Sequence, residues 1–354
     1  MWTMGLDVGT TVVKAAVFNE NGELQSIASE TSVIFASANG AAEQDADQVF
    51  HLLLGAMKQA ARGIGHKIGS LSLSVQGDAI VSVDSASNPT GPVILGMDYR
   101  SKAQSDAFAR ESGSHAIFSL TGMTPHPMNS LCKIRYVTEC HPDIARKTFR
   151  YMTYADYILY HLGSDEPVID YTMATRTMGM NLKTKTWHLP LLNKAGISAQ
   201  MLSTPVASGQ VVGKLRKPLA EQTGINPDTL LVSGGHDQVC AAIGAGLGEV
   251  GLALDSHGTA EVISTVLAFP LLNDKMFTSS FPCYAYADPD KYFTFSLNHS
   301  GGLLLKWFVD EFCVKEILEE KNGGYSAFER LLQKMPQEPT DLCSSAAAHG
   351  CRPG

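Results

Sequence analysis

Leu6-Asp7-Val8-Gly9-Thr10-Thr11-Val12-Val13-Lys14 puts a short apolar run, a carboxylate, a glycine with two hydroxyls and a second apolar run in immediate succession. Leu6–Val8, Val12–Phe18 and Leu24–Thr31 are rich in β-formers, and Asn19-Glu20-Asn21-Gly22 is a strong hairpin signal. The N-terminus therefore predicts three short strands joined by tight turns. Asp45 can cap a following helix, with Gln48 three residues on and Val49, Leu52, Leu53, Ala56, Met57 and Ala60 at helical spacing. Ser70–Val75 then alternates Leu71, Leu73 and Val75 against serines, and Ala79–Asp84 continues as another strand after Gln76-Gly77-Asp78. Strand, helix, strand in that order predicts an α/β architecture with a mainly parallel sheet.

Further along, helices dominate Ser101 to Leu162, broken near Thr124-Pro125-His126-Pro127, and Leu219–Gly224 reads as a helix end. Leu230–Val232 is a short buried strand running into Gly234-Gly235-His236-Asp237, and Gly251–Asp255 is another, followed by Ser256-His257-Gly258-Thr259. Asp-x-Gly-Thr at 7–10 is loosely echoed by Asp-x-x-Gly-Thr at 255–259. Two such turns suit a duplicated fold with a cleft between its halves. Helical patterns return near Leu303–Phe312 and over Tyr325–Lys334. Asp341–Gly354 has neither strand alternation nor an apolar helical face, and reads as an unstructured tail.

Composition narrows the function classes. The 354 residues are long enough for two domains, and 44% hydrophobic with 18% charged excludes disorder as the main state. A net charge of −8 with no Lys/Arg run argues against a nucleic-acid partner. Seven cysteines, never spaced Cys-x-x-Cys, argue against a disulfide framework and a structural zinc site, and favour a reducing compartment. The N-terminus lacks a signal peptide's basic region, and no apolar run approaches the roughly 20 residues that cross a bilayer. A cytoplasmic chain without membrane partners is the expectation.

Three turns could carry chemistry. In Asp7–Lys14, backbone N–H groups at Gly9-Thr10-Thr11 could approach phosphate oxygens, and Asp7 could hold Mg²⁺; the same residues also suit an ordinary hairpin turn. Asp237 follows a glycine-rich strand end, where it could act as general base on a hydroxyl or serve as a helix N-cap. His236 reads better as a hydrogen-bonded structural histidine than as a ligand. Gly258 and Thr259 could grip a phosphate or form a simple β-turn. Together, two Gly-Thr turns and an intervening acid form the minimum set for phosphoryl transfer from ATP. Gly246-Leu247-Gly248-Glu249-Val250-Gly251 matches a dinucleotide fingerprint only formally, because it precedes a strand instead of linking strand to helix. No P-loop motif occurs, and no histidine grouping points to a transition metal.

These residues resemble the FGGY carbohydrate kinases of the actin/hexokinase superfamily. Asp7-x-Gly9-Thr10-Thr11-x-x-Lys14 is similar to that family's first phosphate loop. Met128-Asn129-Ser130-Leu131-Cys132-Lys133-Ile134 fits the first half of its signature, with Tyr136 where a Trp is usual. Asp170-Tyr171-Thr172-Met173-Ala174-Thr175-Arg176-Thr177 resembles its Asp-x-(Ser/Thr)-x-Ala-(Ser/Thr)-x-Thr segment. Gly235-His236-Asp237-Gln238 looks like the catalytic-base block, and Gly258-Thr259 like the second phosphate loop.

The resemblance implies an actin/hexokinase-like (ribonuclease H-like) duplicated α/β fold and an ATP- and Mg²⁺-dependent sugar kinase. Asp237 would take the proton from the attacking hydroxyl and Asp7 would help hold Mg²⁺. Gly9, Thr10, Thr11, Lys14, Gly258 and Thr259 would serve the phosphates. Gln76, Asp78, Asp98, Arg100, Met128 and Gln238 would face the sugar. Gly96 stands where an aromatic is frequent and Met128 where a Tyr often sits; both departures favour a ketose, xylulose-like, or a sugar acid over glycerol. An actin-like ATPase would suit the phosphate loops, but the blocks at 76–78, 98–100 and 170–177 favour the kinase.

The expected organisation is a complete first lobe over residues 1–246, a partial second lobe over 247–340, and an aberrant tail over 341–354. Because the family's second lobe extends well beyond residue 354, a truncated or frameshifted reading frame is expected. The alternative to an active kinase is an impaired remnant that binds sugar but not ATP. The implied partner is a small sugar, and a homodimer is allowed.

Overall fold

The structure is a computed structural model that describes residues 1–257, 261–298 and 301–336. Its centre is a six-stranded sheet built from β1 (Trp2–Val8), β2 (Val12–Phe18), β3 (Leu24–Thr31), β4 (Ile68–Val75), β5 (Val211–Lys214) and β6 (Leu230–His236), in the order β5-β6-β4-β1-β2-β3. The sheet is mixed, which corrects the expectation of a mainly parallel one. Only β6–β4 and β4–β1 pair parallel, while β5–β6, β1–β2 and β2–β3 are antiparallel. The reason is connection length. The turns at 9–11 and 19–23 are too short for anything but hairpins, whereas a parallel pairing needs a long crossover. Gly22 closes the second hairpin at φ 78°, and the Asn19 side chain accepts from the N–H groups of Asn21 and Glu23.

The core lies on one face of this sheet. Met4, Leu6 and Val8 alternate with outward residues on β1, and Leu71, Leu73 and Val75 do the same on β4, in register with them. Helix α1 (Ala46–Ala60) packs Val49, Leu53, Ala56, Met57 and Ala60 into the same core. Its N-cap is Asp45, whose side chain accepts from the Gln48 N–H at 2.9 Å, the local bond the sequence anticipates. Helix α2 (Ser130–Cys140), α3 (Tyr154–Leu162), the short α4 (Tyr171–Arg176) and α5 (Asp237–Gly244) complete the part that carries the candidate residues.

Two further readings differ from the structure. Ala79–Asp84 does not extend the central sheet. Only Val81–Val83 is strand, paired with Arg150–Met152 in a separate two-stranded sheet, because the residue that turns the chain, Asp78, sits at φ 70° and sends it off the sheet. Asp237 is the first residue of α5 and not its N-cap, which is His236.

The described chain divides into two compact units, Met1–Leu252 with Thr265–Thr294, and Ala253–Ser264 with the chain from Phe295 onward. In the second, Val309, Cys313 and Ala327 form a small core among helices Gly301–Phe312, Val314–Lys321 and Ala327–Lys334, the last started by a Ser326/Glu329 capping box. Among the described residues no helix is long and apolar enough to cross a membrane. Gly258, Thr259 and the tail 341–354 lie outside the described residues.

Candidate active site

β1, β4 and β6 run parallel, so their C-terminal ends share one edge of the sheet. That edge carries Gly9–Thr11 after β1, Gln76-Gly77-Asp78 after β4 and Asp237 after β6. This is the edge where open α/β sheets bind ligands. A bulge between Val232 and Gly235 brings β6 so close to β4 that a Cβ on Gly234 would lie 1.7 Å from the Leu73 carbonyl oxygen. Only glycine fits there.

The first loop is held from beneath. Gln44, 1% exposed, donates to the Thr10 carbonyl at 2.8 Å, and Gln76 donates to the Gly9 carbonyl at 3.4 Å. In a trans peptide the N–H points opposite to the preceding C=O. The N–H groups of Thr10 and Thr11 therefore point away from these buried amides, as an anion cradle requires. Gln44 also accepts from the Tyr154 hydroxyl at 3.1 Å, which ties the loop to α3.

The sheet face away from the core is built of small and polar residues, and it forms an open groove of about 640 Å³ lined by Gly5, Asp7, Ser72, Ser74, Asp237 and Gln238 among others. Asp7 accepts from Ser74 at 3.0 Å and lies 3.5 Å from the Lys14 ammonium, with both charged side chains nearly half exposed. Among the described residues no three His, Cys, Asp or Glu side chains form a metal cage. Magnesium, however, keeps most of its waters and takes one or two carboxylates plus substrate phosphates. A lone accessible carboxylate such as Asp7 fits that requirement.

Asp237 lines the same groove. Burial pushes its carboxyl up to about 6; the Gln238 N–H and Arg176 oppose the rise, and Asp7 and Asp78 add to it. Among the described residues, its one backbone donor is the Gln238 N–H at 2.7 Å, and His236 Nε2 lies 3.2 Å from it. The carboxyl is thus poised close to neutrality and not committed to a cap.

Behind Asp237 lies a buried polar cluster. The Arg176 guanidinium pairs with Asp78, and both are at most a few per cent exposed. Arg176 also lies 5.7 Å from the Tyr284 ring centre, and the His236 ring meets Tyr284 edge-on. Burial and Arg176 hold the His236 imidazole neutral, well below its ordinary range. Gly77 makes room, since a Cβ there would come 2.7 Å from His236 Nε2 and 3.3 Å from Arg176 Nε. Four atoms in this cluster have no hydrogen-bond partner among the described residues: Gln76 Oε1, Asp78 Oδ1, Arg176 Nε and His236 Nδ1. Buried polar atoms are rarely left this way unless something else satisfies them.

The remaining candidates divide. Met128 reaches the cluster, its sulfur 4.0 Å from Arg176, and Gln238 is half-buried beside Asp237. Asp98 and Arg100 are committed to one another. Arg100 donates to both Asp98 oxygens, Ala42 N–H adds a further bond, and Arg100 continues to Glu43 at 2.6 Å. This pair clamps the strand leading to Gln44. Arg176, Gln44 and Lys133 escaped the sequence reading. Lys133 is fully buried, donates to the Met128 carbonyl, and burial lowers its pKa to about 8. Only Arg176 carries a local signal, as the one charged residue of the short helix Tyr171–Arg176; Lys133 shares its helix with Arg135 and Glu139, and Gln44 ends a short strand.

Residues 2–244 match the model of the FGGY family of carbohydrate kinases, N-terminal domain. The chain belongs to the FGGY family of carbohydrate kinases. Gluconokinase from Bacillus subtilis (strain 168) is 30% identical over 337 residues, covering 95% of this chain and 64% of that protein. Xylulose kinase from the same organism is 27% identical, covering 92% of this chain and 65% of that protein. A ligand-bound xylulose kinase from Lactobacillus acidophilus superimposes with a TM-score of 0.81 at 24% identity, over 88% of this chain and 62% of that one. This FGGY chain therefore has the actin/hexokinase-like fold, and spans less than two thirds of the length of these relatives.

Proposed function

We propose that this chain transfers the γ-phosphoryl group of ATP to a hydroxyl of an open-chain ketose or sugar acid, with a xylulose-like ketose as the type substrate. One observation carries the reading. At a single sheet edge, a carboxyl pushed up to about 6 adjoins both the Asp7 groove and a buried cluster of polar atoms that have no partner among the described residues. The first suits nucleotide phosphates and the second a polyhydroxylated molecule.

A free sugar hydroxyl is a poor nucleophile. Asp237 accepts its proton as the oxygen bonds to the γ-phosphorus and the bond to the β-phosphate oxygen breaks, releasing ADP. Gly9, Thr10 and Thr11 hold phosphate oxygens through N–H groups, with Lys14, Gly258 and Thr259 as the other phosphate contacts. Mg²⁺, held by Asp7, would neutralise phosphate charge. Gln76, Asp78, Met128 and Gln238 face the sugar, while Asp98 and Arg100 fix the neighbouring backbone. Residues 1–246 form the lobe with sugar site and base, and 247–340 belong to the second lobe.

The test is ADP release with Mg-ATP over a panel of ketoses and sugar acids. Sugar-dependent release is expected, falling about a hundredfold or more in Asp237→Asn. Sugar-independent release, or a fully active Asp237→Asn enzyme, would overturn the reading.

A further inference from the structure

Three side chains stand in one row across the central sheet. Asp7 on β1 is in register with Lys14 on β2 and with Ser74 on β4, and direct cross-strand neighbours share a face. Each neighbour takes a different oxygen of the Asp7 carboxylate. The Ser74 hydroxyl donates to Oδ1 at 3.0 Å, and the Lys14 ammonium lies 3.5 Å from Oδ2. Among the described residues Asp7 is the one carboxylate within ion-pair reach of Lys14, whose other neighbour in the row is Ser29 on β3.

The two contacts respond differently to an approaching metal ion. A hydroxyl is neutral, and the carboxylate oxygen it touches has a lone pair to spare. An ammonium carries the ion's own sign of charge and must leave. It can leave easily, because both side chains of the pair are nearly half exposed and such pairs are weak. The groove beside it is lined by two carboxylates, Asp7 and Asp237, and by no Lys or Arg, and Asp7 helps to raise the Asp237 carboxyl. Without Lys14 at its rim, that pair of acids would gather stray cations and repel a polyphosphate.

We propose that Lys14 is an exchangeable counter-ion: its ammonium holds the cation position at Asp7 in the absence of nucleotide and moves to the phosphates when nucleotide enters, so that Asp7 accepts a divalent ion only together with the nucleotide. This rests on the sugar-kinase reading. Ser74 stays on Oδ1 throughout and keeps the carboxylate turned into the groove. The flexible four-carbon stem of Lys14 lets the ammonium swing without moving the strand.

Titration of the full chain with free Mn²⁺ at low ionic strength, followed by loss of the aqueous-ion EPR signal, tests the inference. Lys14→Met keeps the stem and removes the charge. It is expected to raise Mn²⁺ affinity about three- to tenfold, the effect of one unit charge a few ångströms from a divalent ion near water. The gain should shrink at about 0.5 M salt and vanish when Asp7→Asn is added. Ser74→Ala frees Oδ1 without removing a charge and should give no gain. Lys58→Met, on the helix that packs against the other face of the sheet, changes net charge equally and should also give none. Binding of metal-free ATP, measured in EDTA, should move the opposite way in Lys14→Met and weaken at least about threefold. Mn²⁺ affinity that is undetectable, unchanged or lower in Lys14→Met, an equal gain in Ser74→Ala or Lys58→Met, a gain that survives Asp7→Asn, or undiminished binding of metal-free ATP would each refute it. ADP release separates this inference from the reading beneath it. Unchanged Mn²⁺ affinity alongside sugar-dependent ADP release refutes the counter-ion and leaves the kinase standing. A gain in Mn²⁺ affinity with no ADP release under any sugar refutes the kinase.

Discussion

Replacing Thr172 with valine removes one buried hydroxyl that joins the Asp170 carboxylate to the strand end before Asp237. Thr172 is 0% exposed, its hydroxyl donates to Asp170 Oδ1, and it accepts the His236 N–H at 2.8 Å. Valine leaves that N–H without an acceptor, which costs about 1–3 kcal/mol. Asp170 keeps the N–H groups of Thr172 at 2.9 Å and Met173 at 3.1 Å, so its loss is about 1 kcal/mol more. The sum is about 2–4 kcal/mol, a large share of a typical ~5–15 kcal/mol. With a urea slope of about 2–3 kcal/mol/M, the unfolding midpoint falls by roughly 1 M. Serine keeps both hydrogen bonds and loses one methyl, about 1 kcal/mol. Urea titration followed by tryptophan fluorescence should therefore rank wild type above Thr172→Ser above Thr172→Val. Because the freed N–H belongs to His236, the residue immediately before Asp237, valine should also lower kcat by about tenfold or more with little change in KM, and serine should restore it. A valine variant within about 0.5 kcal/mol of wild type, or a serine variant no better than valine, would refute this reasoning.

Three other outcomes are expected. Only an ionised Asp237 accepts a proton, so kcat/KM for sugar should climb with pH through about 6 and level off above it; a flat profile from pH 5 to 8 would count against Asp237 as base. Burial pushes the Asp156 carboxyl up from 3.8 to about 6, so the folded state holds its proton more tightly than the unfolded one. That stabilising contribution is full below about pH 4 and is lost as pH rises through 6, so the stability of wild type relative to Asp156→Asn should decline across this window. A constant difference measured by urea unfolding at each pH would contradict it. Gly77→Ala puts a methyl 2.7 Å from His236 Nε2 and 3.3 Å from Arg176 Nε, and calorimetry should show sugar binding weakened at least about tenfold; unchanged affinity would show that the ring and guanidinium can move aside.

What could be read from the sequence was what local chemistry decides. The Asn19–Gly22 hairpin and the Asp45 cap are closed by bonds within four residues, and both stand in the structure. The direction of β2 and β3 was equally local, since turns of that length permit only antiparallel pairing; weighing turn length over element order would have given the mixed sheet. The fate of 79–84 was not local, because Val81–Val83 finds its partner at Arg150–Met152. The loops at 9–11, 76–78 and 236–237 were visible as glycine and carboxylate at strand ends. Arg176 was not, because a lone arginine in a helix normally reads as surface, and its partner Asp78 is 98 residues away. Asp78 and Asp98 show what the motif alone could not separate. Both are buried to within 2% exposure, and each is paired with an arginine. Every oxygen of Asp98 is taken, by Ala42 N–H and Arg100, so it can only hold backbone in place. Asp78 keeps one oxygen with no partner among the described residues, so it can still receive a ligand's hydroxyl. Burial does not separate a structural carboxylate from a binding one here; the leftover acceptor does, and only three-dimensional hydrogen-bond accounting reveals it.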